Sequence, residues 1–473
     1  MPEIHELSAL EISAAYAAGD TDPVEVVDHF LDRVDEHADT YGAFVTVTAD
    51  QARERARAAA GRLADGDAPP LTGVPTAIKD LNLTAGVRTT FGSAAMEEFV
   101  PKVSDQLVTN LERAGLISLG KTNTPEFGSP CYTEPDVAPP ARTPYDTSRS
   151  AGGSSGGAGA AVAAGLIPLA QGSDGGGSIR IPASVCGLVG IKPSRGRISA
   201  APTYGDVTGL STAGTLARTV RDAAALLDFM AGPAQSDPLW AERIGESYLD
   251  HCERDPGRLR IARFAAPVIT EADVDPQVLF AYDQLSERLE DLGHTVDDID
   301  PPVSGAIVPV FETVWSVSAT MFAVPEDKRS LLRPLSRWLR ERGAKTSGPE
   351  FASALLRMNQ IGAKVIGALA PYDAVLTPTL AQLPAKVGGI RNDDDPEADF
   401  AAQKAFTPYT SLWNVTGMPS VSLPTAWSTE GLPIGTMLAG RPGSEHVLCA
   451  LAAQIESAHS AAGSDWNRPA VMP

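Results

Sequence analysis

The sequence predicts an α/β protein, a large mixed twisted sheet packed between helices. Short apolar runs bounded by Gly, Pro or Asp alternate with segments whose apolar residues recur at helical spacing. This alternation persists from about residue 66 to about residue 230. Strand-forming runs return near the C-terminus, which points to one sheet completed by the last part of the chain. At 473 residues, 43% hydrophobic and 21% charged, the chain has enough apolar material for a large core.

Two helices lead. In "DPVEVVDHFLDRV", Asp22 is a natural N-cap, Pro23 suits the first helical position and Glu25 the third. Val24, Val27, Leu31 and Val34 then share one face. "DQARERARAAAGRLADG" is a second helix, mostly solvated and ended by glycine. Past Pro69 and Pro70, "GVPTAIKD" reads as a strand and a polar turn. "SDQLVTNLERAG" is a helix capped by Ser104 or Asp105 and closed by Gly115, and the strand "LISLG" follows. "AGAAVAAGLIPLA" is a small-residue helix running into a strand. Residues 256–300 read β-α-β, and helical segments fill about 310–369. "YDAVLTPTL" and "LPIGTMLAG" are strands, "EHVLCALAAQIESAH" is a closing amphipathic helix, and "RNDDDPEAD" reads as a solvated acidic loop. With no internal repeat or linker, the expected organisation is a single domain over 1–473. Its parts are N-terminal helices (1–65), a core (66–230), a variable substrate-shaping region (231–370) and a sheet-completing part (371–473).

A net charge of −21 argues against nucleic acid or an anionic membrane as partner, because phosphates would be repelled. Cys131, Cys186, Cys252 and Cys449 are widely spaced and lack a metal-ligand pattern, which fits reduced thiols in a cytosol and no zinc site. The N-terminus has no basic region followed by an apolar stretch, and no apolar run is long enough to span a bilayer. The expectation is a cytoplasmic monomer or homodimer without metal or organic cofactor.

Two motifs match on paper and fail in context. "GLISLGKT" (115–122) fits the phosphate-loop pattern, but its middle residues form an apolar strand and Gly115 ends a helix, so strand, loop and helix come in the wrong order. "GGSSG" (152–156) fits the nucleophile elbow, yet "ARTPYDTSRSA" upstream offers no buried strand. The downstream His251, His294, His446 and His459 sit in segments that read as solvated helix or loop.

A third set of motifs fits together: Lys79 in "GVPTAIKD", the serine pair in "AGGSSGG", and Ser178 in "GSDGGGSIRIPAS". With "LGKTNTPEFG", "CGLVGIKPSRGRIS" and "NVTGMPSVSLP", they closely resemble the amidase signature family over most of the chain, most weakly between about 235 and 370. The wording is most similar to bacterial amidases, including the nylon-oligomer (6-aminohexanoate cyclic dimer) hydrolases. The resemblance implies the amidase signature fold, with Ser178 as nucleophile, Ser154 as a relay serine after a cis peptide bond, and Lys79 as base. A serine hydroxyl needs a base to become a good nucleophile, and a lysine can serve once burial lowers its pKa. Gly175, Gly176 and Gly177 leave backbone N–H groups free to converge, with that of Ser178, into an oxyanion hole worth about 3 kcal/mol per donor. Asp174 and Arg180 read as a structural ion pair bracing this loop, Ser155 as a support or a residue that ties down its own turn, and Cys131 and Tyr132 as channel-lining or packing residues.

The expected reaction is hydrolysis of small carboxamides through an acyl-enzyme, with aryl amides, esters, nylon oligomers and carbamates as further substrates. One rival is the amidase component of a tRNA-dependent amidotransferase, although "SDGGGSIRIPAS" departs from that component's T-G-G-S-I-R-Q-P-A wording. The other is a catalytically silent binding protein of the same fold. Segments 130–143, 200–212 and 305–405 are expected to build the pocket; in the last, Phe311, Trp315, Met321, Phe322, Trp338 and Met358 suit either an apolar channel or the core.

Overall fold

The computed structural model describes residues 2–66, 68–242, 244–303, 305–463 and 466. Eleven strands form the framework: β1 (Phe44–Val47), β2 (Pro75–Lys79), β3 (Ile117–Thr122), β4 (Leu169–Asp174), β5 (Val189–Lys192) and β6 (Thr212–Ala217), then β7 (Arg260–Arg263), β8 (Thr295–Asp298), β9 (Ala374–Pro378), β10 (Ser420–Trp427) and β11 (Pro433–Gly440). Eight of them make one mixed sheet in the order β4-β6-β5-β10-β11-β9-β7-β8. The pairs from β4 to β9 are antiparallel, and β9-β7-β8 is parallel, joined by the helix Pro276–Asp291 as the β-α-β reading predicts.

The expectation of a single sheet needs correction. Strands β1-β3-β2 form a separate three-stranded sheet. Side chains from β4 and β2 bridge the join: Thr76 Oγ1 donates to the Leu169 carbonyl, and the Lys79 N–H donates to Gln171 Oε1. Polar side chains replace the ladder, and Lys79 is fixed where the two sheets meet.

The helix Pro23–Tyr41 is capped by Asp22, whose carboxylate accepts from Val24 and Glu25. Its buried stripe is Val26, Val27, Phe30, Leu31 and Val34, with Val24 only partly covered. The short helix Gln106–Arg113 has no side-chain cap. Asp105 instead accepts from Asn82 and the Leu83 N–H, and Ser104 accepts from the Ala85 N–H. Among the helices absent from the sequence reading are Ala9–Ala18, with a Ser8–Glu11 capping box, and Pro396–Phe406, which starts inside the supposed acidic loop. Asp395 caps the latter helix, and Asp399 is buried in it rather than solvated.

The helix Gly156–Ala163 is buried along its whole length. Its small residues are required by proximity: a Cβ on Gly157 would stand 2.3 Å from the Asn123 backbone nitrogen. This helix carries the serine pair into the core. Among the described residues, no helix is long and apolar enough to cross a membrane.

Candidate active site

Three chain segments converge between the two sheets. β2 ends in Lys79, the loop before the helix Gly156–Ala163 supplies Ser154 and Ser155, and β4 runs into the glycine loop that ends at Ser178. Lys79 is fully buried. Its Nζ donates to Ser154 Oγ at 2.8 Å and to the Ser173 carbonyl at 3.2 Å. Burial lowers its pKa to about 7, against a smaller upward pull from Asp174. The Gly153–Ser154 peptide is cis.

Ser178 and Ser154 line one cavity together. Among the described residues no hydrogen bond joins their hydroxyls, so the geometry closes the Lys79–Ser154 contact and leaves the Ser154–Ser178 contact open. Such contacts commonly tighten only when substrate binds. Ser155 extends its support beyond its own turn. Its hydroxyl donates to the Ser173 carbonyl and accepts from the Ser173 N–H, while its N–H donates to the Ser178 carbonyl.

Within the glycine loop, Gly176 and Gly177 are held from the side of Asp174 and Thr410. Asp174 accepts from the Gly177 and Ile179 N–H groups and from Arg180 at 2.8 and 2.9 Å. Arg180 also donates to the Thr410 carbonyl and to Asn414 Oδ1, and Thr410 Oγ1 donates to the Gly176 carbonyl. Burial opposes a charge on Asp174, but Arg180, helped by Lys192 and Asn414, holds the carboxyl well below the usual range. The Gly177 N–H is therefore committed to Asp174, a correction to its place among the free donors. The N–H groups of Gly175, Gly176 and Ser178 have no acceptor among the described residues.

Of the two expected channel residues, Cys131 lines a cavity beside Ser178. Tyr132 lines neither cavity at the serines: it is buried, its hydroxyl donates to Asp399 Oδ2, and its backbone packs against Gly153. It braces the serine loop instead. All three variable segments contribute to the cavity walls, with Phe311, Trp315, Met321 and Phe322 among them. Met358 belongs to the core, and Trp338 packs on Phe400. Leu81, Asn82 and Phe91 also line the larger cavity, though nothing in their local sequence marks them, as does Phe127 of the "LGKTNTPEFG" motif. Gln171, Thr410 and Asn414 carry no predicted role, yet they hold Lys79 and the Asp174–Arg180 pair. Asn414 opens the "NVTGMPSVSLP" motif, which was the available signal.

The motif lookalikes are accounted for. Lys121 of "GLISLGKT" is buried, 3.4 Å from Asp80, and donates to Asn82 and Thr89. His251, His294 and His459 are buried rather than solvated, and none of the four downstream histidines lines either cavity at the serines. Among the described residues no group of three or more His, Cys, Asp or Glu could hold a metal ion.

The family model described as Amidase matches residues 25–449. The chain belongs to the amidase family. Curated relatives agree with this. The putative amidase AmiB2 of Mycobacterium tuberculosis is 38% identical over 443 residues, covering 92% of each chain. A glutamyl-tRNA(Gln) amidotransferase subunit of Thioalkalivibrio sulfidiphilus is 33% identical, covering 98% of this chain and 99% of its own. Among solved structures, a 6-aminohexanoate cyclic dimer hydrolase superposes with a TM-score of 0.90 at 29% identity, covering 97% of this chain and 98% of its own. This amidase is thus an amide-hydrolysing enzyme of the amidase signature type, built on a mixed sheet flanked by helices.

Proposed function

We propose that this amidase cleaves carboxamide C–N bonds with Ser178 as nucleophile, Ser154 as proton relay and Lys79 as base. The observation that carries the reading is the 2.8 Å contact between Ser154 Oγ and a fully buried Lys79 whose pKa lies near 7. A lysine in that state is neutral often enough to accept a proton at ordinary pH. Ser178 Oγ adds to the carbonyl carbon and its proton passes to Ser154, whose own proton passes to Lys79. The oxyanion is met by the N–H groups of Gly175, Gly176 and Ser178, while Asp174 and Arg180 hold the loop that presents them. The protons then return through Ser154 to the leaving nitrogen, and water releases the acyl group from Ser178.

The test is a hydrolysis panel of aliphatic amides, anilides, peptide amides, nylon oligomers and aryl carbamates, with labelling by a fluorophosphonate probe. Ser178→Ala is expected to abolish both turnover and labelling, and Ser154→Ala and Lys79→Ala to lower kcat by about 10³-fold or more. Turnover by Ser178→Ala would overturn the mechanism. The likeness to an amidotransferase component supports a second reading, in which glutamine is the substrate and a partner is needed. Hydrolysis by the isolated chain favours the first reading; glutaminase activity confined to a co-purifying complex favours the second.

A further inference from the structure

Two cavities meet at Ser178, one of about 70 Å³ and one of about 480 Å³. They share three wall residues, Ser129, Ser178 and Trp315. Gly175 and Ser154 belong to the large cavity alone, and Gly176 and Cys131 to the small one alone. The nucleophile therefore stands at a partition, with the relay serine on one side of it.

We infer that the substrate binds in one orientation, its amine half in the large chamber and a short uncharged acyl group in the small one, with Trp315 setting the limit on acyl length. The inference rests on the relay role proposed for Ser154. When the tetrahedral intermediate collapses, the C–N bond breaks and the nitrogen takes the proton that Ser154 returns. That nitrogen must then lie within reach of Ser154 Oγ, which opens only to the large chamber. The acyl carbon stays bonded to Ser178 Oγ, so its chain extends into the small chamber. Water replaces the amine on the large side, gives a proton to the same relay and releases the carboxylic acid as Ser178 recovers its hydrogen.

The walls match this division. The large chamber carries Phe91, Phe127 and Phe322, with Phe127 and Phe322 stacked at 4.7 Å, a surface suited to an aromatic amine. The small chamber is lined by Ile181, Ile269, Ile307 and Val308 with Phe311 and Phe400, too little space for a long chain, and its charged pair, Glu312 and Lys404, is closed at 2.6 Å. Trp315 projects from the helix Ile307–Thr320 over the glycine loop. Its ring lies 3.5 Å from where a Cβ on Gly175 would stand, and it stacks on Phe311 at 5.4 Å. Removing the indole joins the two spaces beside the nucleophile. The substrate class is accordingly N-aryl amides of short, uncharged acids.

The test crosses an acyl series (acetyl, butyryl, octanoyl) with an amine series (ammonia, aniline, 2-naphthylamine) and measures kcat/KM for each amide. Wild type is expected to favour acetyl over octanoyl and naphthylamide over primary amide, each by about tenfold or more. Trp315→Ala is expected to raise octanoyl relative to acetyl by about tenfold while keeping the amine preference, and Trp315→Phe to stay near wild type. The wild-type matrix decides the orientation even where Trp315→Ala does not fold. A wild type that favours octanoyl amides of ammonia overturns the inference, as does a Trp315→Ala variant that shifts the amine preference instead. Ser178→Ala, run on the same matrix, separates the two readings: activity there defeats the mechanism, whereas a dead variant beside an inverted wild-type preference defeats only the orientation.

Discussion

On the proposed mechanism, Lys79 sets the pH behaviour. Only the neutral amine accepts a proton, and burial places its pKa at about 7. kcat/KM is expected to rise with pH along a limb centred near 7 and to fall about tenfold per unit below it. A flat profile from pH 5 to 9 would remove Lys79 from the base role. Lys192, also brought to about 7 by burial, donates to the Pro193 carbonyl and lies in neither chamber wall, so Lys192→Met is expected to leave that limb in place. At this scale the long motifs singled out Lys79, Ser154 and Ser178, and the fold brings Lys79 onto Ser154 and both serines to one cavity. Tyr132 was not readable: its partner Asp399 lies 267 residues away, and no local pattern announces that bond.

The glycine loop is an element whose two sides have different tolerances. Gly177 has φ +138°, and a Cβ there would stand 2.5 Å from Thr410 Oγ1. At Gly175 the nearest atom would be 3.5 Å away, on Trp315. Gly177→Ala is expected to cost about 2–4 kcal/mol of stability and to reduce kcat about 100-fold, whereas Gly175→Ala folds with a near-native Tm. Thermal melts and kcat for the pair check this, and equal effects would refute the one-sided bracing of the loop. Most strands and long helices were legible through their periodicity. Ala9–Ala18 and Pro396–Phe406 were not, since the first is mostly small residues and the second hides behind an acidic N-terminus.

Across the whole molecule, charge opposes compactness. With a net charge of −21, the folded chain repels itself more than the unfolded one. Raising NaCl from about 20 mM to about 300 mM is expected to raise Tm by a few degrees through screening, and a Tm that falls would assign the acidic excess to specific ion pairs instead. The break between the two sheets was illegible for a related reason of scale. Strand propensity does not reveal that β2 meets β4 through Thr76 and Gln171 side chains.

The Arg180 bracket also orders events in time. Its guanidinium bonds to Asp174, six residues away, but also to Thr410 and Asn414, 230 and 234 residues further along. Contacts of such span close late, because the intervening chain must first be made and folded. A chain emerging from the ribosome thus carries both serines and the lysine long before it can bracket the glycine loop. On the proposed mechanism, the loop beside Ser178 gains its full bracket only once residues 410–414 have been made.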